Sequence, residues 1–93
     1  MESIIQSRKE CFICGAKDCV HDHHIFFGTA KRSKSEKYGL KVYLCGYHHN
    51  LSDEGVHFNR ELDLKLKRLA QTKFEETYGD RTKFIQEFGK SYL

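Results

Sequence analysis

The chain has 93 residues, of which 39% are hydrophobic and 31% charged, and its formal net charge is +3. This length predicts one domain, 1–93, with a modest core. The composition excludes a disordered chain, and no apolar run reaches the length of a membrane-spanning helix. The first ten residues lack the apolar segment of a signal peptide, so we expect an intracellular, cytoplasmic protein with no membrane partner.

The predicted elements alternate between turn-rich and regular segments. In chain order they are a cysteine knuckle over 8–19, a strand over 20–27, a polar loop over 29–39, a second strand over 40–45, a helix over 59–78 and a short final helix. Apolar residues recur at three- and four-residue spacing in the long helix, as on an amphipathic surface. Asp80 is expected to cap the final helix, with Phe84, Ile85 and Phe88 on its apolar side.

The cysteines and one histidine predict a structural zinc site. In a reducing compartment, four cysteines with six histidines nearby favour metal binding over disulfides. Cys11 and Cys14 form one knuckle, and Cys45 and His48 form a second one roughly thirty residues later. Tetrahedral Zn²⁺ needs four such ligands. Cys19 is spaced less well for a knuckle, and we expect it to be a small buried hydrophobe.

A basic segment follows the histidine-rich stretch. Residues 31–41 contain five Lys or Arg side chains against one acid, Glu36. Charge runs are usually solvated loops, but this one directly follows a cluster of histidines, so phosphate contact is the alternative. Lys31, Arg32 and Lys34 are the candidate nucleic-acid ligands, and Arg32 is best suited to a bidentate grip.

The order His23-His24-Ile25, the strand ending in LCGYHH and the helical region after it resemble the HNH nucleases, the ββα-metal or His-Me finger superfamily. The run HHIFFGTAKRSKSEKYGLKVYLCGYHH, followed later by VH, looks like small phage-encoded HNH proteins related in pattern to the RecA-dependent nuclease type. The resemblance implies an α+β fold, with a zinc-stapled ββα-metal core over 8–57 and a helical tail over 58–93.

The same resemblance implies a role for each motif histidine in a metal-dependent DNA endonuclease. His23 becomes a ligand of the catalytic divalent metal, His24 the general base and His49 a second ligand. His57 is a candidate third ligand, and three imidazoles would favour Zn²⁺, Ni²⁺, Co²⁺ or Mn²⁺ over Mg²⁺. Asp22 with His23 is an alternative ligand and base pair. Hydrolysis needs one base to deprotonate water and one cation to stabilise the phosphate and the leaving oxygen.

Two features depart from this pattern. The family's Asn at the start of the second strand, which helps to orient the base, corresponds here to Leu40; a backbone carbonyl, Ser35 or Glu36 could replace it. On a regular strand, His23 and His24 point to opposite faces, so one shared site requires the strand to bend or end there.

Two other functions compete with the nuclease. One is a non-catalytic zinc-knuckle module that binds nucleic acid, and the other is an accessory that acts only beside a phage or host recombination or packaging protein. A binding module requires only the four knuckle ligands. The additional histidines therefore favour the enzyme.

Overall fold

The structure, a computed structural model, describes residues 2–28, 30–49, 55 and 59–93. Its elements are β1 (Val20–His24), α1 (Lys31–Tyr38), β2 (Lys41–Cys45), α2 (Gly46–His49), α3 (Arg60–Tyr78) and α4 (Arg81–Phe88). A two-stranded sheet with helices confirms the predicted α+β class. Among the helices of these residues, none combines the length and apolar character needed to cross a membrane.

The two strands form an antiparallel pair that brings the two halves of the motif together. Val20 lies opposite Cys45 and His24 lies opposite Lys41. β1 is shorter than the predicted strand over 20–27, because regular pairing stops at His24. The chain then turns inward, and Ile25 donates its backbone N–H to the Leu40 carbonyl at 3.0 Å.

The polar loop predicted over 29–39 is wrong, because residues 31–38 form α1. Its anchor is Ser35, a fully buried residue whose hydroxyl accepts from the Phe26 backbone N–H at 3.0 Å and donates to the Phe26 carbonyl at 2.7 Å. Tyr38 is also buried. The helix ends at Gly39, whose φ of 71° is readily adopted by glycine.

The two C-terminal helices agree closely with the prediction. Asn59 caps α3 by accepting from the Leu62 N–H at 3.1 Å. Asp80 caps α4, as expected, by accepting from the Lys83 N–H at 2.9 Å. Ile85 is an exception, since it is exposed rather than part of the apolar side.

Aromatic rings join these helices to the segment that follows β1. Phe26, Phe74, Phe84 and Phe88 are each at most 1% exposed. The ring of Phe26 lies 4.6 Å from that of Phe88 and 5.4 Å from that of Phe84, between centroids. Burial of each ring stabilises the fold by a few kcal/mol, on the order of 3. The C-terminal helices therefore hold the chain immediately after His24 in place.

Candidate metal centre and histidine cleft

Cys11, Cys14, Cys45 and His48 come together as a group that could hold a metal ion such as zinc. The Cys14 and Cys45 sulfurs are 3.8 Å apart, and His48 Nδ1 lies 3.3 Å from the Cys45 sulfur and 3.7 Å from the Cys11 sulfur. A tetrahedron with metal–sulfur bonds of about 2.3 Å has its sulfurs about 3.8 Å apart. A disulfide would require about 2.0 Å. The spacing fits a shared cation.

Backbone hydrogen bonds favour the ionised, thiolate form of Cys11 and Cys14. Burial alone would raise the pKa of the Cys11 thiol, but backbone hydrogen bonds from Cys45, Cys14 and Ile13 outweigh it and lower the pKa to about 6. The Cys14 thiol is also favoured as a thiolate by the backbone of Ala16. Desolvation and the neighbouring sulfurs nevertheless raise its pKa overall. A bound cation would relieve that repulsion between thiolates.

Cys19 lies outside the group, as expected, but it is not a buried hydrophobe. The residue is exposed, and its φ is 52°. Its place in the turn before β1 accounts for the exposure.

The adjacent residues His48 and His49 serve different sites. Both belong to the single turn of α2, where neighbouring side chains diverge by about 100°. His48 faces the sulfurs, whereas His49 Nδ1 lies 2.9 Å from Nδ1 of His21 on β1. One turn of helix thus connects the cysteine group to a second set of imidazoles.

A cleft of about 200 Å³ lies at the end of β1. Residues from β1, the segment after it, α1 and α2 line it: Asp22, His23, His24, Phe27, Arg32 and His49. His23 and His24 both line this cleft although they are consecutive, and β1 ends at His24.

Three imidazoles lie together on one side of the sheet. His21 and His23 are two residues apart on β1 and so share a face. The ring of His49 lies 5.0 Å from that of His21 and 5.3 Å from that of His23, between centroids. The His23 side chain is only 3% exposed. The sequence feature that indicates this shared face is the i, i+2 spacing of His21 and His23.

At the end of β1, Glu36 of α1 contacts His24. The His24 Nε2 atom lies 2.9 Å from Oε1 of Glu36. Hydrogen bonds donated by neighbouring nitrogen groups lower the pKa of the Glu36 carboxyl to about 2, so it is ionised at neutral pH. Of the substitutes for the missing Asn, Glu36 is the one that contacts the imidazole, while the Ser35 hydroxyl is bonded to Phe26.

Asp22, His24 and Glu36 also lie close enough to share a cation. Lys41 already supplies positive charge there, with its Nζ 3.1 Å from both Glu36 oxygens and 3.6 Å from an Asp22 oxygen. Burial alone would lower the Lys41 pKa, but Glu36 and Asp22 raise it. A metal ion would have to displace this ammonium, so we interpret the cluster as a support for His24.

The candidate phosphate ligands occupy three different environments. Arg32 is exposed and lines the cleft, and Lys31 is exposed beside it in the chain. Lys34 instead reaches α4, where its Nζ donates to the Glu87 carbonyl at 2.7 Å. Of these three candidates, Arg32 is therefore the one that lines the cleft with the histidines. The predicted ligand His57 lies outside the described residues.

A comparison of the chain with protein-family models, with curated proteins and with solved structures finds no match. The functional argument below therefore depends on the residues and their geometry.

Proposed function

We propose that the protein is a metal-dependent endonuclease of the HNH type that hydrolyses DNA phosphodiester bonds. The observation that carries this proposal is the pairing of His24 with an ionised carboxylate beside a cleft that also contains His23, His49 and Arg32. A carboxylate that fixes one nitrogen of an imidazole is the usual arrangement around a general base.

His24 acts as the general base through its second ring nitrogen. Its Nε2–H donates to Glu36, which leaves the lone pair on Nδ1 to accept a proton from water. The negative charge of Glu36 stabilises the imidazolium that forms. Because the His24 side chain is only 11% exposed, its ring is held in one orientation by its surroundings.

The catalytic cation would be held by His23 and His49, and when bound it would supply positive charge to the phosphate and to the leaving 3′ oxygen. His23 is buried and His49 packs against it, so two neighbouring imidazoles are available at fixed positions. Arg32 at the cleft, with Lys31 beside it, is placed to contact flanking phosphates.

The cysteine group has a structural role in this proposal. We assign Zn²⁺ to it because its sulfur and nitrogen spacings match a tetrahedral site and because Cys11 and Cys45 are buried. The metal would fix the end of β2 and the turn of α2 relative to the knuckle of Cys11 and Cys14.

The decisive experiment measures nicking of supercoiled plasmid by purified protein with Mg²⁺, Mn²⁺, Co²⁺, Ni²⁺ or Zn²⁺, beside His24→Gln purified in the same way. We expect nicking by the wild type and a loss of about a hundredfold or more in the variant, with unchanged zinc content and melting temperature. Equal nicking by both would refute His24 as the base. Inactivity of the folded wild type, with and without candidate recombination proteins, would favour the zinc-knuckle binding module.

A further inference from the structure

The close approach of His21 to His49 is not explained by the general base or by the knuckle. Their Nδ1 atoms are 2.9 Å apart. Two imidazoles can approach this closely through one N–H···N hydrogen bond or by sharing a cation. Two nitrogens bound at right angles to one metal, each at about 2.0–2.1 Å, are separated by about 2.9 Å. The spacing therefore fits two ligands of one ion as well as a direct hydrogen bond, and metal titration distinguishes the two.

A third imidazole, that of His23, lies on the same strand face. His23 follows His21 by two residues on β1, and the ring of His49 packs edge to face against both. Opposite them on β2 are Leu44 and Val42, both at most 1% exposed, which fix this part of the sheet. The three rings are thus presented by regular backbone, at positions set by strand pairing and by the first turn after β2.

We propose that His21 and His49 are two ligands of one cation beside the histidine cleft, with His23 next to them on the same strand face. A site built on imidazole nitrogens takes a borderline transition ion such as Ni²⁺, Co²⁺, Zn²⁺ or Mn²⁺ in preference to Mg²⁺, which requires oxygen. The use of this ion in cleavage rests on the proposed function, but the ligand set does not.

Metal binding tests the ligand directly. Protein carrying one equivalent of Zn²⁺ in the knuckle is titrated with Ni²⁺, and in parallel with Mg²⁺, by calorimetry, while an indicator dye reports any zinc released. The variants are His21→Ala and His21→Phe, the second of which keeps an aromatic ring on the strand. Cys19→Ser is the matched control, since it removes an exposed side chain that can bind metal, two residues before His21 and outside the cleft lining.

We expect the wild type and Cys19→Ser to bind one further Ni²⁺, both His21 variants to bind it about tenfold or more weakly, and Mg²⁺ to give no comparable binding. Unchanged Ni²⁺ affinity in a folded His21 variant would overturn the inference, as would failure of the wild type to bind a second ion. Ni²⁺ binding that depends on His21, without any plasmid nicking, would refute the proposed nuclease activity but not the assignment of His21 as a ligand. Plasmid nicking by the wild type, with unchanged Ni²⁺ binding in the His21 variants, would refute the assignment of His21 as a ligand but not the nuclease activity.

Discussion

Glu36→Gln is the substitution that best separates the orientation of His24 from the stability of the fold. Glutamine keeps the size of the side chain and one carbonyl oxygen, but it removes the negative charge 2.9 Å from His24 Nε2. Lys41 keeps a second acidic neighbour, Asp22, at 3.6 Å. We therefore expect the variant to fold and to lose activity through the imidazole.

The size of the effect follows from the contact. A hydrogen bond to a charged group contributes about 1.5–3 kcal/mol. The Glu36 side chain is 41% exposed, so water screens the interaction and the lower value applies. Because about 1.4 kcal/mol corresponds to a tenfold change in rate, kcat should fall about tenfold.

Single-turnover and steady-state nicking of supercoiled plasmid would measure kcat and KM separately. We expect kcat to fall while KM for DNA remains within error and the variant stays folded at the assay temperature, because Glu36 supports the base rather than the substrate. Glu76→Gln is the control, since it makes the same chemical change at an exposed position near the end of α3.

An unchanged kcat in folded Glu36→Gln would refute the assignment of Glu36 as the residue that positions His24. A rise in KM alone would indicate instead that the carboxylate affects DNA binding. A parallel loss in Glu76→Gln would show that the effect comes from stability.

Three further outcomes follow from the structure. Removing the knuckle metal with a chelator should lower the melting temperature, measured by circular dichroism, by more than about 10 °C, and Zn²⁺ should restore it. Ser35→Ala should lower it by roughly 5–20 °C, because the buried Phe26 backbone groups lose their partner; Ser33→Ala, at an exposed position, is the control. The pKa of Glu36 is lowered from 4.5 to about 2, so its stabilising contribution is present above about pH 4.5 and is lost as the pH falls through about 2. In urea titrations, the difference in unfolding free energy between wild type and Glu36→Gln should shrink over that range.

The knuckle ligands could be predicted from the sequence because their chemistry is carried by local spacing. Two ligands across a turn define each knuckle, and the paired strands then bring the two knuckles together, with Val20 opposite Cys45. The cap of α4 was predicted for a similar reason, since Asp80 accepts from the backbone N–H three residues later in the chain.

Features that depend on tertiary contacts were missed. α1 carries almost no apolar periodicity, and it is fixed by Ser35 against Phe26 and by Tyr38 against the C-terminal aromatic rings. The orienting role proposed for Glu36 depends on this helix, because α1 brings the carboxylate to His24. A segment predicted as a polar loop does not indicate which acidic or hydroxyl group lies next to His24. The contact between His21 and His49 likewise depends on where α2 places His49.

The two candidate metal sites are mechanically connected through α2. His48 and His49 are adjacent in a single helical turn, one directed to the sulfurs and the other to the imidazoles of β1. A cation on the cysteine group would therefore fix the direction of His49 as well as the knuckle. Loss of cleavage in a Cys45 variant would not show that the cysteine takes part in hydrolysis, because displacement of His49 has the same result. The Ni²⁺ affinity of the histidine site distinguishes these two explanations. It falls if His49 is displaced, and it is unchanged if the metal on the cysteines itself takes part in hydrolysis.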